Sequence, residues 1–285
     1  MIPAVSVIIS TFNRSNLVRR AVESVLAQTW RDFELVVVDD HSPVPAAEAL
    51  RGIDDERLRL IRHEKNSGGP AARNTGITQS RGEFVALLDD DDEFLPLYLE
   101  KLLNKMRTCP ALRGVVHGGI RFLDPQGKII KDHIPRLRGN IRGQLLRGEK
   151  DSNVMGLVRR ECFTKAGLFD ETLSSCQDWD MWLRIAEYYE FDHIEDIVCL
   201  YHCHQTQLSN DLNTLIKGRT RMVEKHRALF ATDPKALVIH LKRLGKLHAL
   251  NGSWKEAWRW FNEAAAVDRR EWFKIMAWLL LSKKE

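Results

Sequence analysis

Five acidic residues in succession, Asp89-Asp90-Asp91-Asp92-Glu93, follow the apolar run Phe84-Val85-Ala86-Leu87-Leu88. Like charges packed this tightly persist where a cation neutralises them, and carboxylate oxygens are hard ligands suited to Mg²⁺ or Mn²⁺. Mg²⁺ commonly takes one or two protein carboxylates and completes its shell with phosphate oxygens and water. A calcium loop would need alternating acids, a central glycine and a later glutamate. Here Phe94-Leu95-Pro96-Leu97 come next and the ligands run out. A merely solvated acidic turn is the plain alternative. Two more polar turns carry the same kind of chemistry. Ser10-Thr11-Phe12-Asn13-Arg14 follows the apolar run Val5–Ile9, and Asp39-Asp40-His41-Ser42 follows Phe33–Val38. One such turn is ordinary, because short acids cap helices. Three at one sheet edge describe a site for a phosphate-linked ligand and a divalent cation.

The elements that must position these turns are legible from periodicity. Val5–Ile9, Phe33–Val38, Leu58–Ile61 and Phe84–Leu88 are continuous apolar runs, read as buried strands. Between them Leu17 to Leu26, Ala46 to Leu50 and Ala71 to Ile77 carry helical spacing. Strands alternating with helices predict βαβ units and a mostly parallel sheet, which binds ligands beyond the carboxyl ends of its strands. A helix is expected over 96–107, opened by Pro96. Strands are expected at Val115-Val116, Ile120–Leu123 and Val154–Val158, and an amphipathic helix over Trp179–Tyr188. Residues 131–150, basic and interrupted by glycine, read as a mobile loop able to close over a ligand. From about 212 onward the pattern is helical.

Composition limits the function classes. The chain has 285 residues, 44% hydrophobic and 29% charged, with a net charge of +4, too small to argue for nucleic acid. No apolar run reaches the ~18–20 residues needed to span a bilayer. The N-terminal stretch lacks a basic n-region and reads as a strand. Five cysteines (109, 162, 176, 199 and 203) suggest free thiols in a reducing cytosol. The first turn has no glycine and Ser67-Gly68-Gly69-Pro70 has no following Gly-Lys-Ser/Thr, so neither a dinucleotide fingerprint nor a P-loop is present.

In order along the chain stand VSVIISTFNR (5–14), SVLAQTWRDFELVVVDDHS (24–42), NSGGPAARNTGI (66–77), RGEFVALLDDDDEF (81–94) and CQDWDMWLRIA (176–186). Together they closely resemble the family 2 glycosyltransferases of the GT-A fold, over roughly residues 3–210. The resemblance implies an α/β domain at 1–211, with a nucleotide-binding half (1–92) and an acceptor-binding half (93–211); residues 212–285 lie outside it, and their helical pattern reads as a C-terminal extension. It implies an inverting transferase that moves a sugar from a nucleotide sugar, expected to be a UDP-sugar, to a hydroxyl of a glycan or lipid-linked acceptor, with Mn²⁺ or Mg²⁺. Thr11, Asn13, Arg14, Asp39 and Asp40 would hold the nucleotide, with Arg73 and Asn74 near the donor sugar. In the family's Asp-x-Asp, here Asp89-Asp90-Asp91, Asp91 would ligate the metal directly with Asp89 beside it, and Asp90 would face the ribose. Asp92 would cap the following helix. Asp178 would be the general base, although its usual Glu neighbour is Gln177. The segment Leu200-Tyr201-His202-Cys203-His204 matches one near the diphosphate, with His202 in place of an arginine and His204 able to touch diphosphate or metal. A zinc site at Cys199, His202, Cys203 and His204 is the competing reading, disfavoured because neighbouring strand residues face opposite ways.

The extension is less specific. Trp254, Ala257, Trp258, Phe261 and Ala265 fall at helical spacing, and Asn251 to Ala257 looks like part of one tetratricopeptide-type helix pair. Trp272–Leu281, tryptophan-rich and flanked by lysine and arginine, fits an interfacial membrane helix or a self-association element. A cytoplasmic protein, peripheral on the inner face of a membrane, is the expectation. Two rivals stand beside the transferase. A sugar-1-phosphate nucleotidyltransferase would need a glycine-rich first turn. A catalytically degenerate sugar-nucleotide-binding or scaffold protein is suggested by Gln177 and His202.

Overall fold

Strand β1 (Val5–Thr11) lies at the centre of the first half of the sheet, paired in parallel with β2 (Phe33–Asp39) and with β4 (Phe84–Asp89). β3 (Leu58–Arg62) extends the sheet beyond β2. This is a computed structural model, which describes residues 2–148, 155–204, 211–272 and 274–276. β1 and β2 are buried on both faces, as their runs of Val, Ile and Leu require of parallel strands covered on both sides. The register then fixes the site. Thr11 stands beside Asp39, and Ser10 beside Asp89, so the three polar turns leave the sheet at one edge.

The helices follow the expected crossovers: α1 (Ser15–Leu26), α2 (Ala46–Ala49) and α3 (Gly69–Gln79). α3 lies close against β1 because Gly76 allows it. A Cβ at Gly76 would sit 2.3 Å from Ile8 Cγ2, in a core with no room to move. Gly76→Ala is therefore expected to cost ~1–3 kcal/mol in urea unfolding of the purified chain. An unchanged midpoint would show that α3 is free to shift.

The second half of the sheet departs from the sequence reading in instructive ways. Its order continues β4-β8-β6-β9-β5, with β7 on β6. Here β5 is Glu93–Phe94, β6 Arg113–Leu123, β7 Ile129–His133, β8 Gly156–Arg159 and β9 Glu190–His202. β6 is one strand, not two. Gly118 and Gly119 break its apolar pattern, but the strand continues through register shifts because β9 approaches too closely for a side chain. A Cβ on Gly118 would lie 2.4 Å from Val198 Cγ2. Asp92 and Glu93 do not begin a helix. Phe94 pairs with Cys199 and stacks on Tyr98 at 3.6 Å, which holds the chain extended until α4 (Tyr98–Thr108) starts two residues after Pro96. The expected 131–150 loop contains β7, a bridge from Gly139 to Phe191, and α5 (Arg142–Arg147). Residues 149–150 and Val154, the start of the expected β8, lie outside the described residues. α6 (Arg160–Ala166) and α7 (Gln177–Ile185) precede β9. All five cysteines are free thiols.

The chain divides into two compact units. One comprises 1–141, 151–171 and 178–205; the other comprises 142–150, 172–177 and 206–285. The second contains α8 (Leu212–Lys225), α9 (Arg227–Ala231), α10 (Pro234–Leu250) and α11 (Trp254–Val267), with helical residues again at 271–272 and 274–276. Asp211 caps α8 by accepting from Thr214 N, and Asp233 caps α10 by accepting from Ala236 N. α10 and α11 pack on the absence of a side chain at Gly245, where a Cβ would meet Phe261 at 2.4 Å. The buried stripe of α11 is Ala257, Trp260, Phe261 and Ala264, while Trp254 is exposed. Most of the expected interfacial stretch 272–281 lies outside the described residues.

Candidate active site

The acid run is not one equivalent cluster. Asp90 turns towards the first strand's loop. Thr11 Oγ1 donates to Asp90 Oδ2 at 2.6 Å, and Arg14 Nη1 donates to Asp90 Oδ1 and Asp91 Oδ2, both at 2.8 Å. Burial pushes the Asp90 carboxyl up to about 6, against the pull of Arg14 and Thr11. Asp91 Oδ2 also meets His204 Nε2 at 2.9 Å, and the Asp91 carbonyl accepts from Arg20 Nη2 at 2.6 Å. Asp89 takes Arg73 Nη2 at 2.6 Å.

Asp92 is the surprise. Its Oδ1 accepts from the His202 backbone N–H at 3.0 Å, which ties the acid run to the end of β9. Its Oδ2 is buried with no hydrogen-bond partner among the described residues. Burial, then the charges of Asp89 and Asp91, push its carboxyl well above the usual range. An orphaned buried carboxylate oxygen beside two other acids is an incomplete arrangement in protein alone. Asp89, Asp91 and Asp92 each offer an oxygen within 4.8 Å of the others, a hard oxygen donor set that fits a divalent cation. Asp92 therefore belongs with the acids and does not cap a helix. His204, expected as a ligand, touches Asp91 but is not part of that trio. Among the described residues Cys199, His202, Cys203 and His204 form no such group. Cys199 is buried in the core, and His202 Nε2 turns to Glu93 at 2.7 Å.

The second turn is held tightly from within. Asp39 is buried and accepts from Ser42 N and Ala46 N, with Arg62 on the same carboxylate. Asp40 Oδ1 accepts from Ser67 N at 2.8 Å and meets His63 Nδ1 at 2.7 Å; its Oδ2 accepts from Gly68 N at 2.7 Å. Asp40 thus docks the loop entering α3 at the site edge. Asn13 adopts φ +54°, a conformation Asn tolerates, and its N–H donates to Ser42 Oγ at 2.9 Å. The first two turns are therefore stitched together before any ligand arrives.

On α3 two neighbouring residues do different work. Arg73, on Asp89, also places its positive charge close enough to act on Asp178. Asn74 grips the backbone of Phe169, accepting its N–H at 2.8 Å and donating to its carbonyl at 2.9 Å, and also donates to Glu171 at 2.9 Å. Asn74 was expected near the donor sugar; in the structure it fastens the 169–171 loop to α3. An open groove of about 670 Å³ runs beside this loop, lined by His63, Ser67, Thr75, Thr78 and Glu171, away from the acids. Asp178 lies in the first turn of α7, open to solvent yet crowded by protein. That crowding raises its carboxyl above the usual range, Arg73 opposes the rise, and Asp89 adds to it. Its solvent access means the desolvation is partial.

Sequence reasoning missed the contacts of Arg20 and His63 with the strand-end acids and the place of Asp92 in the acid trio. Arg20 had no signal beyond an ordinary helix surface. His63 follows a strand on the same edge, a placement that could have drawn attention to it.

The model of glycosyl transferase family 2 matches residues 6–168, more than half the chain. The chain belongs to glycosyl transferase family 2. An uncharacterised glycosyltransferase of Methanocaldococcus jannaschii is 31% identical over 206 residues, 70% of each chain. The chain spans about a third of the length of several curated relatives that it matches and about 70% of others. S. aureus TarS in complex with UDP-GlcNAc superposes with a TM-score of 0.59 at 17% identity, covering 90% of this chain and 89% of that one. A mannosyltransferase from Pyrobaculum calidifontis, in complex with GDP-Man and Mn²⁺, gives 0.59 at 19% identity, covering 98% and 86%. At such identities the structural likeness shows the fold, a GT-A-type α/β sheet flanked by helices. Among the described residues of the glycosyltransferase no helix is long and apolar enough to cross a membrane.

Proposed function

We propose that this enzyme transfers a sugar from a nucleotide-sugar donor, with UDP-sugars the first class to test, to a hydroxyl of a glycan or lipid-linked acceptor with inversion at the anomeric carbon. The observation that carries the reading is the meeting of three strand-end turns on one set of acids, with Asp178 beside Arg73. It is supported by the nucleotide sugars bound to two structures of the same fold.

Asp178 would accept the proton of the acceptor hydroxyl as the new C–O bond forms at the anomeric carbon. The bond from that carbon to the diphosphate breaks, and the nucleoside diphosphate leaves with the electron pair. Asp89, Asp91 and Asp92 would hold Mn²⁺ or Mg²⁺, which when bound supplies positive charge next to the diphosphate. Thr11, Asn13 and Arg14 on the first turn and Asp40 on the second would orient the nucleoside, with Asp90 fixed by Thr11 and Arg14 facing the ribose. Arg73 would keep Asp178 and Asp89 from repelling each other and leave the base ionised. Asp39 acts one layer back, holding the second turn.

The test is to incubate the purified chain with UDP-, GDP- and dTDP-sugars and Mn²⁺ and to follow nucleotide release. Release from one nucleotide class, increased by added glycan acceptor, is the expected result. Tight donor binding with no release from any of them would instead identify a sugar-nucleotide-binding scaffold.

A further inference from the structure

The net charge of +4 conceals a division along the chain. Residues 1–211 carry 27 Lys/Arg against 32 Asp/Glu, whereas residues 212–285 carry 16 against 7. The helical extension is strongly basic and the rest is acidic. On α11 the excess is arranged on one face. Successive helical residues are about 100° apart, so Trp254, Trp258, Asn262, Lys255 and Arg259 fall within an arc of about 140°. No acidic side chain lies in that arc, which is turned away from the buried stripe at Ala257, Trp260 and Phe261. Trp254 is 45% exposed. Trp258 packs on Trp272 at 6.0 Å, and Trp272 is itself 39% exposed. Arg259 shares its charge with Glu256 at 3.0 Å, outside the arc, and Lys255 is exposed.

We infer that this tryptophan–cation face docks on the surface of an anionic phospholipid bilayer. Indole rings concentrate at the boundary between hydrocarbon and water, where an apolar body and a polar edge are both satisfied. Lysine and arginine beside them gain from the negative potential of anionic headgroups. A second copy of the chain is a poorer occupant, because a twofold contact would set these cations against each other. Nucleic acid is poorer too, since two cations on a face rich in indole offer little to a phosphate backbone. The acidic residues 1–211 would be repelled by the same membrane, leaving the extension as the attracted part.

The experiment is co-sedimentation of the full chain with large vesicles, either pure phosphatidylcholine or phosphatidylcholine with about a third phosphatidylglycerol, at low and high salt. The expected result is binding to the anionic vesicles only, weakened by salt, with a blue shift of the tryptophan emission. The double variant Lys255→Glu/Arg259→Glu should lower the partition coefficient by about tenfold or more, and Trp254→Ala by severalfold. Both should leave donor turnover in free solution unchanged, since neither site belongs to the transfer machinery. Equal binding to neutral vesicles, no binding to either, or full binding by the charge-reversed variant would overturn the inference. So would duplex DNA binding, or dimer formation in sedimentation velocity, without vesicle binding. Nucleotide release in solution tests the transfer reading separately.

Discussion

Asp178→Asn is expected to lower kcat by roughly 10²–10⁴-fold while leaving the KM for the donor within a factor of a few. Asn keeps the size of the side chain and can still sit in the first turn of α7, but it cannot take a proton from an acceptor hydroxyl. The competing role is helix stabilisation. An acid in the first turn of a helix contributes about 0.3–1 kcal/mol, so a purely structural Asp178 would show itself as a small loss of stability with kcat preserved. The pH dependence gives a second handle. The base works only when ionised, and crowding raises its folded-state pKa above the ordinary value, with Arg73 opposing. Activity should therefore be lost as pH falls through that raised value, at a higher pH than an ordinary aspartate near 3.9 would give. Arg73→Gln removes the opposing cation and should move this acid limb upward. A kcat/KM profile whose limb stays in place in Arg73→Gln would break the link between the two residues.

The first half of the fold could be read from residue type almost directly. Val, Ile and Leu runs alternating with helical segments predict parallel strands, and the turns that end such strands share an edge. Thr11, Arg14, Asp90 and Asp91 meet there for that reason. What escaped were features set by tertiary contact. The extended path through Glu93 and Phe94 depends on pairing with β9, more than 100 residues away, which no local pattern encodes. That same pairing buries Asp92 against His202 and changes a supposed helix cap into part of the acid trio. Asn74 was placed near the donor sugar with Arg73 by their match to one family segment; neighbours on a helix point about 100° apart, and the Asn74 side chain is engaged with Phe169 and Glu171. In the extension the helical period was plain, but its phase was not. Trp260 and Ala264 take the buried stripe and leave Trp254 exposed, since an indole can satisfy either face.

Asp91→Ala and Asp92→Asn together decide whether the acid trio holds a metal. In the unaltered chain Mn²⁺ should raise the melting temperature, by an amount set by concentration over affinity; about 2.7 kcal/mol at a hundred times Kd. Asp91→Ala removes one of three oxygens and leaves Arg14 paired with Asp90 alone. The Mn²⁺ increment should vanish, and Mn²⁺-dependent nucleotide binding with it. A variant that bound UDP equally well with and without Mn²⁺ would show that the metal assignment is wrong. Asp92→Asn separates metal binding from structure more cleanly. Its amide oxygen can still accept from His202 N–H, so the tie between the acid run and β9 survives. What disappears is a buried charge with an unpartnered oxygen, set against Asp89 and Asp91. Removing it should leave the metal-free protein as stable or more so, at about 2–4 °C per kcal/mol, while the Mn²⁺ increment is lost. The opposite pattern, a destabilised metal-free protein with the increment intact, is what a structural aspartate would give. The two effects have opposite signs in one variant, so a general loss of folding cannot imitate them.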